Sequence, residues 1–309
     1  MVERMPRSLP PLPLLGVLWG MVAAVAWAVY NVGAKVGAAQ GFQPADLTLM
    51  RFGVAGLIML PFLAHAGLRD LGGLGWARGA ALALLVGPLF GFVVNTGFVL
   101  APLAHGVVLG PATTMLSATA LAWVCEGERL NRMQLAGMAI LVAGLLAIAY
   151  DGLTAPSGHL VWLGDLGFIA AGTLWGVFTF LLKRWRVHAV QATAAVSVLS
   201  MVVVVPLYFM LHDGLPDLPV RAIVVQAIYQ GCLGGCLAVL AFSLAVGHLG
   251  ASRAALFPSF VPALATLLAM PMLGQVPDAL QGTGILLASL GLLTALDLFA
   301  PKPVAMAGQ

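Results

Sequence analysis

Long apolar runs joined by short connections constrain this chain more than any other feature. A helix needs roughly 20 apolar residues to cross a bilayer. Apolar types make up 61% of the 309 residues and charged types 8%, whereas a soluble domain carries about 25% charged residues. The runs lack the alternation of lipid-facing β-strands. The sequence predicts an all-α polytopic membrane protein with ten transmembrane helices, at Leu14–Ala34, Leu47–Ala66, Gly79–Leu100, Gly106–Val124, Met133–Tyr150, Leu163–Leu182, Ala189–Leu211, Ile223–Val246, Ala251–Leu273 and Ala279–Leu298.

The basic residues are distributed unevenly over the two sides that these ten helices would define. The side that holds both termini receives 11 of the 14 Lys and Arg residues, and the other side receives Lys35, Arg51 and Arg221. Basic residues stay cytoplasmic because they resist translocation. We therefore predict a protein of the cytoplasmic (inner) membrane with both termini in the cytoplasm. The opposite side is called the outer side below.

The two halves of the chain repeat the same pattern. A shift of 148 places Trp27, Asn31 and Lys35 on Trp175, Thr179 and Lys183, and a shift of 147 places Pro111, Gly127 and Gln134 on Pro258, Gly274 and Gln281. Each repeat, at residues 14–150 and 163–298, would hold five helices. Five is odd, so the second copy enters the membrane from the opposite side. The sequence therefore predicts two inverted five-helix repeats, an arrangement frequent in secondary transporters.

At these residues the chain resembles the EamA family of the drug/metabolite transporter superfamily. Two marks carry the resemblance: the repeated Trp-x7-Lys pattern, and a Gly-Glu-x-Leu-x3-Gln-x2-Gly-x6-Gly pattern read at Gly127, Glu128, Leu130, Gln134, Gly137 and Gly144. The second half places Gln275 where the acid is expected, and the first half has Met115 where the second has Pro262. The resemblance implies a ten-helix transporter of amino acids, other metabolites or toxic compounds, often moved outward. It also implies a central cavity lined by the first, third, fourth, sixth, eighth and ninth helices.

Polar and aromatic side chains within the predicted helices are the candidates for a substrate site, because polar groups in hydrocarbon tend to face a cavity or another helix. Trp27 and Trp175 occupy equivalent positions, with Asn31 and Thr179 one turn further along the same face. The alternative is packing, with Ser and Thr bonded to backbone carbonyls. The predicted substrate-binding residues are Trp27, Tyr30, Asn31, Asn95, Thr113, Trp175, Thr179, Tyr229, Gln230 and Ser259.

The ionisable residues fall near the predicted helix ends. Lys35 and Lys183 are expected to extend toward the membrane surface. His105 and His248 are expected to be solvated or bonded to a carbonyl, although a histidine can also sense protons. The carboxylates at Glu126, Glu128, Asp46, Asp165 and Asp297 also lie near span ends. The lack of a midplane acid favours facilitated diffusion, exchange or coupling through an end residue, with a neutral or zwitterionic solute.

Other function classes lack a supporting motif. The sequence contains no nucleophile and base constellation within the runs, and no phosphate-binding loop. Cys232 and Cys236 lie one turn apart without further ligands nearby, so neither a metal nor another cofactor is expected. The predicted partners are a small-molecule substrate and the lipid bilayer, without nucleic acid, and the oligomeric state is left open. The leading hypothesis is a secondary transporter of small organic metabolites that exports amino acids or related neutral or zwitterionic solutes across the cytoplasmic membrane by alternating access. A passive channel or facilitator and a membrane-embedded enzyme are the alternatives.

Overall fold

Every regular element in the described part of the chain is helical. The computed structural model describes residues 14–127, 130–154, 160–249 and 257–295. The helices are α1 Leu14–Ala39, α2 Pro44–Ala66, α3 Trp76–Val86, α4 Pro88–Leu100, α5 Leu103–Glu126, α6 Arg132–Thr154, α7 Val161–Trp185, α8 Ala189–Leu211, α9 Val220–Ala227, α10 Ala238–Leu249, α11 Val261–Leu273 and α12 Ala279–Ala295. Short 3-10 turns occupy Leu68–Asp70 and Phe257–Phe260, and a π-helix, Ile228–Leu237, joins α9 to α10.

Seven helical segments of the described chain are long and apolar enough to cross a membrane. They are α1, α2, the pair α3 and α4, α5, α7, α8, and the segment from Val220 to Ala245. Three shorter apolar helices lie at Arg132–Ala147, α11 and α12. The prediction of an all-helical membrane protein is confirmed, and the count of ten spans stays a prediction. Residues 251–256 of the ninth predicted span and 296–298 of the tenth lie outside the described residues.

Two predicted spans are interrupted. The third, Gly79–Leu100, is two helices that meet at Gly87, because Pro88 has no backbone N–H to continue the ladder. A Cβ on Gly87 would lie 2.2 Å from the carbonyl oxygen of Ala83 and 2.6 Å from Ser200 Oγ, so only glycine fits this break. The eighth span changes from α to π and back over Ile228–Leu237. The sequence pattern did not predict the π-helical segment within the eighth span.

The helices pack in pairs drawn from the two halves of the chain. α2 lies along α8, and α6 lies along α12. α7 contacts α4 and α5, while α1 contacts α10, the π-helix and α11. The buried interior consists mainly of small and branched apolar side chains, together with aromatic rings such as Phe98 and Phe168. This packing brings α1, α2, α4 and the π-helix together, and the candidate site lies among them.

Candidate functional site

Arg51 is a buried cation within α2. It lies two turns after Pro44, roughly 10 Å along the axis at 1.5 Å per residue, and only 7% of it is exposed. Its Nη1 donates a hydrogen bond to the Tyr30 hydroxyl on α1. A guanidinium has five N–H donors, and Tyr30 is the one acceptor found for Arg51 among the described residues. Sequence analysis had placed this charge with the outer connections, and the structure corrects that placement.

Three aromatic rings surround the Arg51 guanidinium. Its central carbon lies 4.9 Å from the ring centroid of Tyr30, 5.5 Å from that of Phe52 and 5.4 Å from that of Phe90. A cation within about 6 Å of a ring face is attracted by the ring quadrupole. Phe90 in turn contacts Trp175, with centroids 5.3 Å apart. These five residues, here named the Arg51 cluster, join α1, α2, α4 and α7 and unite two predicted site residues, Tyr30 and Trp175.

Two predicted amides lie buried with unpartnered atoms. Asn95 and Gln230 are both 0% exposed. The Asn95 Nδ2 donates to Thr48 Oγ1 at 3.2 Å, and its Oδ1 accepts nothing from the described residues. Neither amide atom of Gln230 has a hydrogen-bond partner in the described chain. Leaving a buried polar group unsatisfied costs about 1–3 kcal/mol, so such atoms call for an explanation beyond packing.

Gln230 belongs to the π-helix, which packs against both Tyr30 and α2. A Cβ on Gly234 would lie 2.3 Å from the Tyr30 ring, and one on Gly231 would lie 2.3 Å from Val54. A Cβ on Gly235 would lie 3.5 Å from the backbone oxygen of Arg51. Short π-segments within α-helices occur frequently at functional sites. The π-helix therefore packs against Tyr30 and α2, which both contribute to the Arg51 cluster, and Gln230 lies on this same π-helix.

Thr113 and Thr179 bond to their own helices. Thr113 Oγ1 donates to the Leu109 carbonyl at 2.7 Å, and a Cβ on Gly172 would lie 1.9 Å from that hydroxyl. Thr113 thus fills the groove between α5 and α7. Thr179 is exposed and donates to the Trp175 carbonyl at 2.8 Å. Packing and backbone bonding account for the geometry of both hydroxyls, and a role in binding stays a prediction.

The other predicted residues are spread along α1 and its neighbours. Trp27 contacts Phe242 of α10, with ring centroids 5.5 Å apart. Tyr229 fills the space beside Gly33, where an added Cβ would lie 2.4 Å from its ring. Asn31 is half-buried. Ser259 lies in the turn Phe257–Phe260, and its side chain is outside the described residues.

The two lysines of the repeat have different environments. Lys35 Nζ donates to the carbonyl oxygens of Phe98 at 2.8 Å and Ala101 at 2.7 Å. It caps the last turn of α4, where the carbonyls lack partners within the helix, and its extension toward the membrane surface stays a prediction. Lys183 is exposed and lies 3.3 Å from Glu126 Oε2.

A histidine and a carboxylate form a buried pair between α5 and α7. His105 Nδ1 lies 2.8 Å from Asp165 Oδ1, and the His105 side chain is 0% exposed. This corrects the expectation of a solvated histidine, because the His105 side chain is fully buried at the start of α5. The charge of either partner is costly inside an apolar bundle unless the other is present. The pair and the Lys183–Glu126 contact connect the same two helices at opposite ends.

Two cavities lie toward the outer ends of the helices. One, of about 340 Å³, lies between the start of α5 and the turn after α11, and includes Pro102 and Gln275 in its wall. The other, of about 430 Å³, lies between the α1–α2 and α8–α9 connections, beside Asp46 and Tyr208. Neither is lined by a predicted site residue. In the described residues, no group of three or more His, Cys, Asp or Glu side chains is placed to hold a metal ion.

Sequence reasoning missed Arg51, Phe90 and the His105–Asp165 pair. A signal for Arg51 was present, because it lies inside the apolar run Leu47–Ala66, and an ionisable residue within a span is a functional candidate by default. No local signal links His105 to Asp165, since 60 residues separate them. The pairing arises only when α5 and α7 pack.

Comparison with known proteins gives three findings. The model of the EamA-like transporter family matches residues 14–150 and 162–296. A probable terminal-alkyne amino-acid exporter of Streptantibioticus cattleyicolor is 26% identical over 283 residues, which cover 89% of this chain and 92% of that protein. A solved crystal structure matches with a TM-score of 0.62 at 18% identity, covering 91% of this chain and 96% of the other. At that identity the structural match supports the fold alone.

Proposed function

Because this chain belongs to the EamA-like transporter family, we propose that it is a secondary transporter that exports amino acids or related neutral or zwitterionic solutes across the cytoplasmic membrane. It is a multi-pass membrane transporter of small molecules, and not an enzyme. The observation that carries the proposal is the match of the family model to both halves of the chain. The amino-acid cargo is suggested by the name of the relative that aligns over 89% of this chain.

The packing of the helices supports two inverted repeats. In such an arrangement, each contact between two helices recurs between the two helices that occupy the equivalent positions in the other repeat. α2 and α8 are counterparts and pack together, as do α6 and α12. The contact of α7 with α5 has its counterpart in that of α1 with α11, and the contact of α7 with α4 in that of α1 with α10. Two such halves can exchange conformations and give alternating access.

The buried state of the polar groups favours a carrier over a passive facilitator. Arg51, Asn95 and Gln230 are all buried, so the conformation described is closed around them. A carrier passes through a closed conformation in each cycle, whereas a permanently open pathway would leave such groups wet. We therefore place the facilitator second. Both termini are proposed to face the cytoplasm.

Transport into proteoliposomes tests the proposal. The purified protein is reconstituted into liposomes. These are loaded with one labelled solute at a time from a panel of amino acids, sugars and organic cations, and transport is measured with and without a pH gradient. We expect saturable exchange of one or more amino acids. Rates that rise linearly with concentration would favour a passive channel, and no movement of any amino acid would refute the proposed cargo.

A further inference from the structure

Arg51 is a buried charge without an acidic counter-ion in the described residues. An isolated charge in hydrocarbon is strongly disfavoured, and buried charges in proteins are normally paired. The rings of Tyr30, Phe52 and Phe90 compensate part of this cost, but they supply no negative charge. The Tyr30 hydroxyl satisfies one donor. The remaining N–H groups of the guanidinium are arranged as a rigid fork that fits two oxygens of a carboxylate.

Unpartnered amide oxygens on the helices that pack around α2 suit a second group on the same ligand. Thr48 and Arg51 lie one turn apart on α2, and Thr48 holds the Asn95 amide, leaving the Asn95 Oδ1 without a partner among the described residues. Gln230 offers a further unpartnered carbonyl oxygen on the π-helix that packs on Tyr30. Amide oxygens accept hydrogen bonds from an ammonium group. A cationic fork on α2 and acceptor oxygens on two helices packed against α2 together suit a zwitterion.

We propose that Arg51 binds the α-carboxylate of the transported amino acid, while the amide oxygens of Asn95 and Gln230 accept hydrogen bonds from its α-ammonium group. This inference rests on the proposed function and specifies how that cargo is recognised. The Tyr30 hydroxyl and the three rings hold the guanidinium in place. Trp175, which contacts Phe90, links this site to α7. The carboxylate supplies the charge that the surrounding helices lack.

The wild-type protein itself gives the first test. The probes are the L-amino acid that it exchanges fastest and the carboxamide of that amino acid, which keeps the ammonium and the side chain but has no negative charge. We expect the carboxamide to compete for exchange roughly 30-fold or more weakly, the loss typical of removing one partner of a buried charge pair. Equal competition would overturn the proposal.

Substitution of Arg51 gives the second test, with Arg221→Met as the matched control because Arg221 is exposed at the start of α9. Arg51→Met should lose most exchange of the amino acid, and the exchange that remains should lose the preference for acid over amide, so that the unlabelled amino acid and its carboxamide inhibit it equally. Arg51→Lys, which keeps the charge without the fork, should keep part of the preference. Arg221→Met should leave both unchanged. Amino-acid exchange and acid preference retained by Arg51→Met would contradict the proposal.

A stability measurement distinguishes an Arg51 that binds substrate from one that only stabilises the packing of the helices. Replacing an uncompensated buried charge with an apolar side chain can leave stability unchanged or raise it. We therefore expect the melting temperature of Arg51→Met in detergent to equal or exceed that of the wild type, and the amino acid to raise the melting temperature of the wild type alone. If Arg51→Met has a lower melting temperature than the wild type and the amino acid still raises it, Arg51 only stabilises the packing of the helices. If the wild type moves no amino acid, the proposed function is wrong. The Arg51 site is then tested separately, because a short carboxylate should raise the melting temperature of the wild type and its carboxamide should not.

Discussion

At the scale of single residues, this membrane protein keeps its buried charges by giving each one a specific environment. Lys35 donates to the free carbonyls at the end of α4. His105 and Asp165 lie against each other, and Arg51 lies among three rings. Neither Lys35 nor Arg51 is bonded to a carboxylate in the described chain, but Lys35 has two carbonyl acceptors whereas Arg51 has the Tyr30 hydroxyl alone. Arg51 is therefore the buried charge that we propose a ligand compensates.

We expect the His105–Asp165 pair to stabilise the fold. His105→Leu should lower the free energy of unfolding by about 3 kcal/mol, because it leaves the Asp165 carboxylate buried beside an apolar side chain. The measurement is SDS-induced unfolding in mixed micelles. Lys183→Met, which removes the exposed contact with Glu126 between the same two helices, is the control and should cost less than about 1 kcal/mol. Equal losses would show that the burial of the pair has no energetic consequence.

The repeated tryptophans lead to a functional prediction. Trp27→Ala and Trp175→Ala should each abolish amino-acid exchange while the protein still inserts into the membrane, because each ring contacts a phenylalanine on another helix that belongs to the predicted cavity wall. Initial exchange rates in proteoliposomes and the amount of membrane-extracted protein are the two measurements. Exchange within about twofold of the wild-type rate, a difference of only about 0.4 kcal/mol in activation free energy, would show that the rings only pack.

At the scale of helices, glycine sets how closely the pairs approach. Small residues allow helix backbones to come together in a bilayer, where the hydrophobic effect gives no force between them. On α12, a Cβ at Gly291 would lie 2.4 Å from the backbone nitrogen of Leu141, whereas one at Gly282 would meet no atom within 4 Å. The two glycines thus occupy the same helix but have opposite surroundings.

Alanine substitutions at Gly291 and Gly282 test this difference in surroundings. Gly291→Ala should separate α6 from α12 and lower the free energy of unfolding by about 1–3 kcal/mol, the usual cost of overpacking. Gly282→Ala should cause no loss, because alanine favours a helix over glycine. Both are measured by SDS-induced unfolding. A loss for Gly282→Ala as large as that for Gly291→Ala would contradict the packing of this helix pair.

At the scale of the whole molecule, the topology predicts which connections face which side. In a variant without Cys125, Cys232 and Cys236, a cysteine at Gln40 should react with a membrane-impermeant maleimide on intact cells. A cysteine at Arg69 should react only after the membrane is permeabilised, because basic connections remain in the cytoplasm. Both positions are exposed. The reverse labelling pattern would contradict cytoplasmic termini. It would also show that the side called the outer side here faces the cytoplasm.

The amino-acid sequence by itself determined that the chain is helical, apolar and divided into two related halves. Hydropathy and helix length are local properties, so they can be read from consecutive residues. It also selected Tyr30, Asn95 and Gln230, because polar groups inside apolar runs are rare. Only the tertiary structure decided which of these residues share an environment. Lys35 and its acceptors lie 63 and 66 residues apart, and His105 and Asp165 lie 60 apart. The surroundings of Arg51 likewise come from three separate helices, and the energy of a buried charge depends on neighbours that no local pattern specifies.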